Sequence, residues 1–124
     1  MIRIAAIAGA GALGTLARYG IQQLLGGRTH PPAVWGTLVV NVLGCLAFGL
    51  VWGWLDVRGS HSPDVRAIFL TGFCGAFTTF SALMYDSGTF ARDGAWSSSL
   101  LVIVAHVGLG AAAMAGGFAL ARVA

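Results

Sequence analysis

Apolar residues crowd into four long runs of this chain, at about 2–25, 35–55, 65–87 and 97–121, with short polar connections between them. Each run is close to the roughly 20 residues an α-helix needs to cross the hydrocarbon core of a bilayer. The connections carry helix breakers and charges: Pro31-Pro32 in the first, Pro63 in the second, Arg92, Asp93 and Gly94 in the third. Trp35, Trp52, Trp54 and Trp96 fall near the expected ends, where an amphipathic ring suits the membrane–water interface. The sequence predicts an all-α membrane protein, one domain over residues 1–124, with four transmembrane helices.

Composition agrees. The 124 residues are 57% hydrophobic and 9% charged, against about 25% charged in soluble domains. With a mean hydropathy of +0.84, so short a chain has no water-facing core large enough to hide its apolar surface. All seven basic residues are Arg and all four acids are Asp. The formal charge of +3 is spread along the chain, so no nucleic-acid partner is indicated. Cys45 and Cys74 sit inside apolar runs and read as reduced thiols. The N-terminus starts like a secretory signal, but its apolar run continues past a usual signal core without a cleavage site, so it reads as a retained first span. Four spans put both termini on one side, with Arg3, Arg58, Arg66 and Arg122 there and Arg28 and Arg92 opposite. That bias is small enough to leave insertion in both orientations open.

The third run carries the chain's unusual segment, Gly72-Phe73-Cys74-Gly75-Ala76-Phe77-Thr78-Thr79-Phe80-Ser81. Glycine and threonine are poor helix formers. Backbone can leave the helix at membrane depth only where protein or a water-lined cavity pairs its freed groups, and such breaks tend to mark ion sites. A break in mid-membrane is therefore expected here. Small residues recur at four-residue spacing as Ala6, Ala10 and Gly14, as Gly49 and Gly53, and as Gly108, Ala112 and Gly116. Such ridges let helices approach closely, inside the bundle or between subunits. Gly9-Ala10-Gly11-Ala12-Leu13-Gly14 matches a dinucleotide fingerprint only by letter: it opens no βαβ unit, and the first acid is Asp56.

Polar residues within the spans are few. Asn41 lies in the second, with Thr37 one turn before it. It reads as either an interhelical hydrogen-bonding group or a donor to a passing anion. Arg18 either snorkels to headgroups or faces an aqueous vestibule. His106, near the middle of the fourth span, reads as a hydrogen-bonded structural residue. No acid falls within a predicted membrane core, with Asp86 placed near the end of the third run. No catalytic triad or metal-ligand spacing is found, so no enzyme is indicated. A core rich in donors and lacking carboxylates suits an anion, and a small four-span multidrug exporter, which needs a buried acid, is disfavoured.

Three blocks carry a resemblance: residues 11–19 with Gly14 and Arg18-Tyr19, residues 36–44 around Asn41, and residues 72–81. Together they resemble the Fluc (CrcB) fluoride channels over essentially the full chain. The resemblance implies an antiparallel, dual-topology dimer in a bacterial inner membrane, with two pores for passive fluoride export. It implies that Asn41, Thr79, Phe80 and Ser81 line the pore and that Arg18 belongs to the vestibule. It also implies a structural Na+ at the dimer axis, held by the backbone carbonyls of Gly75 and Thr78. Leu83 stands where the family has a second pore phenylalanine, and His106 and Gly110 lie where it has hydroxyl residues. Leu83 keeps open a second reading, an accessory or non-conducting half of a heterodimer with a paralogous subunit. A β-branched residue at Gly75 is expected to disrupt the break, and Asn41→Ala to damage flux while leaving assembly intact.

Overall fold

The computed structural model describes residues 1–26, 34–59 and 62–123. Pro31, Pro32, Arg28 and the loop histidines His30 and His61 lie outside the described residues. Four helical segments are long and apolar enough to cross a membrane: α1 (Ile2–Gly26), α2 (Val34–Val57), α3 (Pro63–Arg92) and α4 (Trp96–Val123). α3 continues past Ser87 to Arg92, further than its apolar run indicates.

The chain runs up and down. α2 packs along α4, α1 along the first half of α3, and the second half of α3 against α4. Ion pairs close one end: Arg3 Nε lies 3.2 Å from Asp64 and Arg122 Nη2 3.5 Å from Asp56. Arg66 and Arg58 lie over the rings of Trp52 and Trp54 at 4.7 and 4.8 Å, near the same end. α3 starts on a Ser62 cap with Pro63 at its first position. It stops in a Schellman turn: Ala95 N–H bonds Phe90 O at 2.9 Å, Gly94 N–H bonds Ala91 O at 3.0 Å, and Gly94 holds the left-handed φ of 78°.

Small residues set the helix spacing. A Cβ on Gly14 would overlap the Phe73 carbonyl, and one on Gly72 would come within 3.2 Å of Ala10 Cβ, so α1 lies directly on α3. Gly49 and Gly53 do the same against Met114, Phe118 and Ala121 of α4. The third ridge behaves differently. Gly108 and Gly116 have open space where a side chain would stand, whereas Ser99, Val102, His106, Gly110, Gly117 and Ala121 are the buried positions of α4. Gly108, Ala112 and Gly116 therefore face outward.

α3 is not one helix. After a first turn, Arg66–Cys74 is π-helical, and Gly75–Phe77 returns to α geometry. Thr78 (φ −81°, ψ 158°) and Thr79 (φ −150°, ψ 114°) are extended, and Phe80–Arg92 resumes the helix. The bend thus falls on the threonines. The glycines do not make it: Gly75 is an ordinary right-handed helical residue (φ −62°, ψ −34°), and a Cβ there meets nothing closer than Leu70 O at 3.8 Å. The expectation that the break depends on a bare Gly75 is corrected on that ground.

Candidate functional site

Extended backbone at Thr78 and Thr79 takes the N–H groups of residues 79–82 out of the helix ladder. In an unbroken helix Thr79 N–H would bond Gly75 O and Ala82 N–H would bond Thr78 O, four residues back. Here Thr79 N–H goes to Asn41 Oδ1 at 2.8 Å, and Asn41 Nδ2 donates to Thr79 O at 3.1 Å. The Asn41 amide thus stands in for a peptide partner and pairs both polar groups of Thr79. Ala82 N–H bonds Thr79 Oγ1 at 3.2 Å, which caps the second half of α3. The carbonyls of Gly75 and Thr78 lose these donors, as those of Ala76 and Phe77 lose the N–H groups of Phe80 and Ser81.

The hydroxyls divide by role. Thr78 Oγ1 donates to Cys74 O at 3.0 Å and ties the first half of α3 to its own bend. Thr79 Oγ1 and Ser81 Oγ share one hydrogen bond at 3.1 Å. Two hydroxyls with one mutual bond leave one O–H free. Asn41 likewise keeps one of its two amide hydrogens. Ser87 and Ser99 bond each other at 2.8 Å and fasten the second half of α3 to α4.

A cavity of about 260 Å³ gathers this chemistry, lined by Asn41, Thr79, Phe80, Leu83 and His106 with Thr78, Cys45 and Val107. Phe80 is 73% exposed in the single chain, whereas Leu83 is buried. Arg18 lies half-buried on α1 and lines none of the cavities beside the bend. A smaller cavity of about 150 Å³, lined by Gly44, Cys45, Gly75, Thr78 and Met114 among others, shares Cys45 and Thr78 with the first.

One residue was misjudged from sequence. Asp86 is 4% exposed, and the groups facing it are the Thr37 hydroxyl and the His106 ring. The span cores therefore do hold a carboxylate, and an argument from its absence no longer separates an anion channel from a cation exporter. The extension of α3 to Arg92 is the reason: Asp86 lies nearly two turns from that end. Its position, three residues after Leu83, places it on the same helix face as that buried residue, and that spacing was the available signal.

Comparison with known proteins bears on the reading. Residues 5–118 match the family described as CrcB-like protein, Camphor Resistance (CrcB). The fluoride-specific ion channel FluC of Nitratidesulfovibrio vulgaris (Miyazaki F) is 46% identical over 112 residues, 90% of each chain. That of Nitrosococcus oceani is 40% identical over 124 residues, 98% of this chain and 97% of its own. A third, from Rhizobium leguminosarum bv. trifolii, is 38% identical over 122 residues, 98% of each. This chain, with its four candidate spans and bent third helix, therefore belongs to the CrcB/FluC family of membrane channel proteins.

Proposed function

We propose that this chain is the subunit of a fluoride-selective channel that lets fluoride leave the cell passively, and that the whole chain acts as one membrane domain. The observation that carries the reading, beyond family membership, is the bend itself: a donor-lined cavity built on the Asn41–Thr79 clamp. It is a channel rather than an enzyme, since the cavity needs to replace water around an ion and break no bond.

Fluoride is small and holds its hydration shell strongly. A pore for it must return several hydrogen bonds without a fixed charge that traps the ion. The spare amide hydrogen of Asn41 and the spare hydroxyl of the Thr79–Ser81 pair supply two donors beside Phe80. A phenyl ring is positive at its edge, so Phe80 adds a third, weaker attraction. Leu83 fills its place with bulk and offers no ring edge. Arg18, the only charged residue of α1 beyond Arg3, is assigned to the approach, where a cation raises the local anion concentration.

The pore is completed by a second, antiparallel copy. The exposed Phe80, the outward ridge of Gly108, Ala112 and Gly116, and the small arginine bias support that arrangement. Na+ is assigned to the Gly75 and Thr78 carbonyls at the axis between copies. These oxygens fit in that the bend diverts their helical donors, as it does those of Ala76 and Phe77 between them, and unwound carbonyls suit a sodium ion. When bound, sodium would fix the two bends together and add positive potential near the anion path.

The buried Leu83 supports a second reading, in which a paralogous subunit contributes the missing ring. Expression in a bacterial strain stripped of its own fluoride exporters decides between them. Restored growth in fluoride by this chain alone supports the self-sufficient channel. Restoration only with a second family member present supports the heterodimer.

A further inference from the structure

His106 is 94% buried, being 6% exposed, and its Nε2 is a buried atom with no hydrogen-bond partner. Its other ring nitrogen, Nδ1, lies 2.8 Å from the Val102 carbonyl one turn back on α4. A carbonyl only accepts, so Nδ1 carries the proton of the neutral ring. Nε2 of that neutral ring is then a bare lone pair, which repels an anion. Protonation converts the same atom into an N–H donor on a cation.

The ring's position gives that change a consequence. His106 lines the cavity that holds Asn41, Thr79 and Phe80. It also lines a second cavity of about 450 Å³, reaching past Phe90 and Leu101 to the exposed Trp35 at the start of α2. The side chain thus stands between the donor-lined pocket and the space leading to one end of the bundle. We propose that His106 is a proton-operated donor in the fluoride path: neutral, it slows the anion's passage between the two cavities, and protonated, it hydrogen-bonds fluoride through Nε2 and speeds it. The proposal rests on the fluoride-channel reading of the same site.

The surrounding charges suit this role. α2 and the second half of α3 are the elements packed against α4 at this level. From α2 the titratable group beside the ring is Cys45, a thiol that is neutral at ordinary pH. From α3 it is Asp86, which lies near the His106 ring and the Thr37 hydroxyl and whose Oδ2 is also buried without a partner. Where Asp86 is ionised it offsets the charge of a protonated ring, so that fluoride meets a donor without being held by a net positive site. The proton comes from water entering the cavity and returns to it.

The test is fluoride current across a planar bilayer containing only this protein, at equal pH on both sides and between pH 5.5 and 7.5, the range in which imidazole chemistry operates. Current reports ions only, so neutral hydrogen fluoride crossing the lipid adds nothing. A single site that titrates at the centre of this window changes its protonated fraction roughly tenfold over the two pH units. The current is expected to rise by about that factor as pH falls. His106→Asn, with a permanent amide donor, is expected to conduct with a flat profile, and Asp86→Asn to keep a pH-dependent one. A flat wild-type profile overturns the proposal, as does an unchanged slope in His106→Asn. No fluoride current at any pH overturns the channel reading as well, which separates the two failures. Nitrogen NMR of labelled histidine is a readout independent of variant folding: fluoride is expected to move the Nε2 signal at pH 5.5 and not at pH 7.5. A shift at neither pH contradicts the assignment.

Discussion

At the scale of single residues, Asn41 matters because its amide does two jobs. It pairs the backbone of Thr79 and keeps one hydrogen for the cavity. Asn41→Ala leaves a buried N–H and C=O without partners, each costing roughly 1–3 kcal/mol. The variant is expected to lose flux and also to unfold at a clearly lower temperature in detergent, contrary to the expectation from sequence that assembly is spared. An unchanged melting temperature would show that the clamp contributes nothing. Phe80 is the opposite case, being largely exposed in the single chain. Phe80→Leu should leave the chain's own stability nearly untouched and slow fluoride efflux about tenfold, the effect of roughly 1.4 kcal/mol of lost ring-edge attraction. Equal flux in a liposome assay would remove the ring from the pore.

Among the elements, the two halves of α3 depend on α2 beneath them. A Cβ on Gly44 would overlap Thr78 Cγ2 and come within 3.2 Å of Phe77 Cδ1, at the bend itself. Gly44→Ala is therefore expected to displace the threonines, reducing both stability and flux. Gly75→Ala is expected to be accepted by the single chain, since its helical φ and the open space allow the methyl. Limited proteolysis of the two variants distinguishes them, and a protease-sensitive Gly75→Ala with a resistant Gly44→Ala would reverse this ranking. The spans themselves were legible because length and apolar composition alone decide them. The bend was legible as a location, since Thr78 and Thr79 follow Gly75 within about one turn, but not as a mechanism. Glycine proved to serve close packing, and the extended residues are threonines whose backbone Asn41 receives from 38 positions away. The π-helical stretch was not read from the sequence; it includes Gly72, against which Ile7 and Ala10 of α1 pack. Asp86 was hidden because an acid near the end of an apolar run looks like a boundary until the helix is seen to continue.

The assembled protein sets these parts in order: arginines gathered with Asp56 and Asp64 at one end, a donor-lined cavity at the bend, and an outward stripe of small residues on α4. A cysteine placed at Gly108, where no neighbour fills the space, is expected to cross-link to a second copy only if that stripe faces a subunit. Absence of the cross-link in a demonstrably dimeric sample would assign the stripe to lipid. Conduction is the property on which everything else depends. The most direct measurement is fluoride efflux from liposomes containing this protein alone, read with a fluoride electrode in the presence of a potassium ionophore, with chloride followed in parallel. Rapid release of fluoride with chloride retained is the expected result, and it would show that a chain with Leu83 forms a selective pore by itself. Release of neither ion from well-folded protein, or of both together, would contradict it.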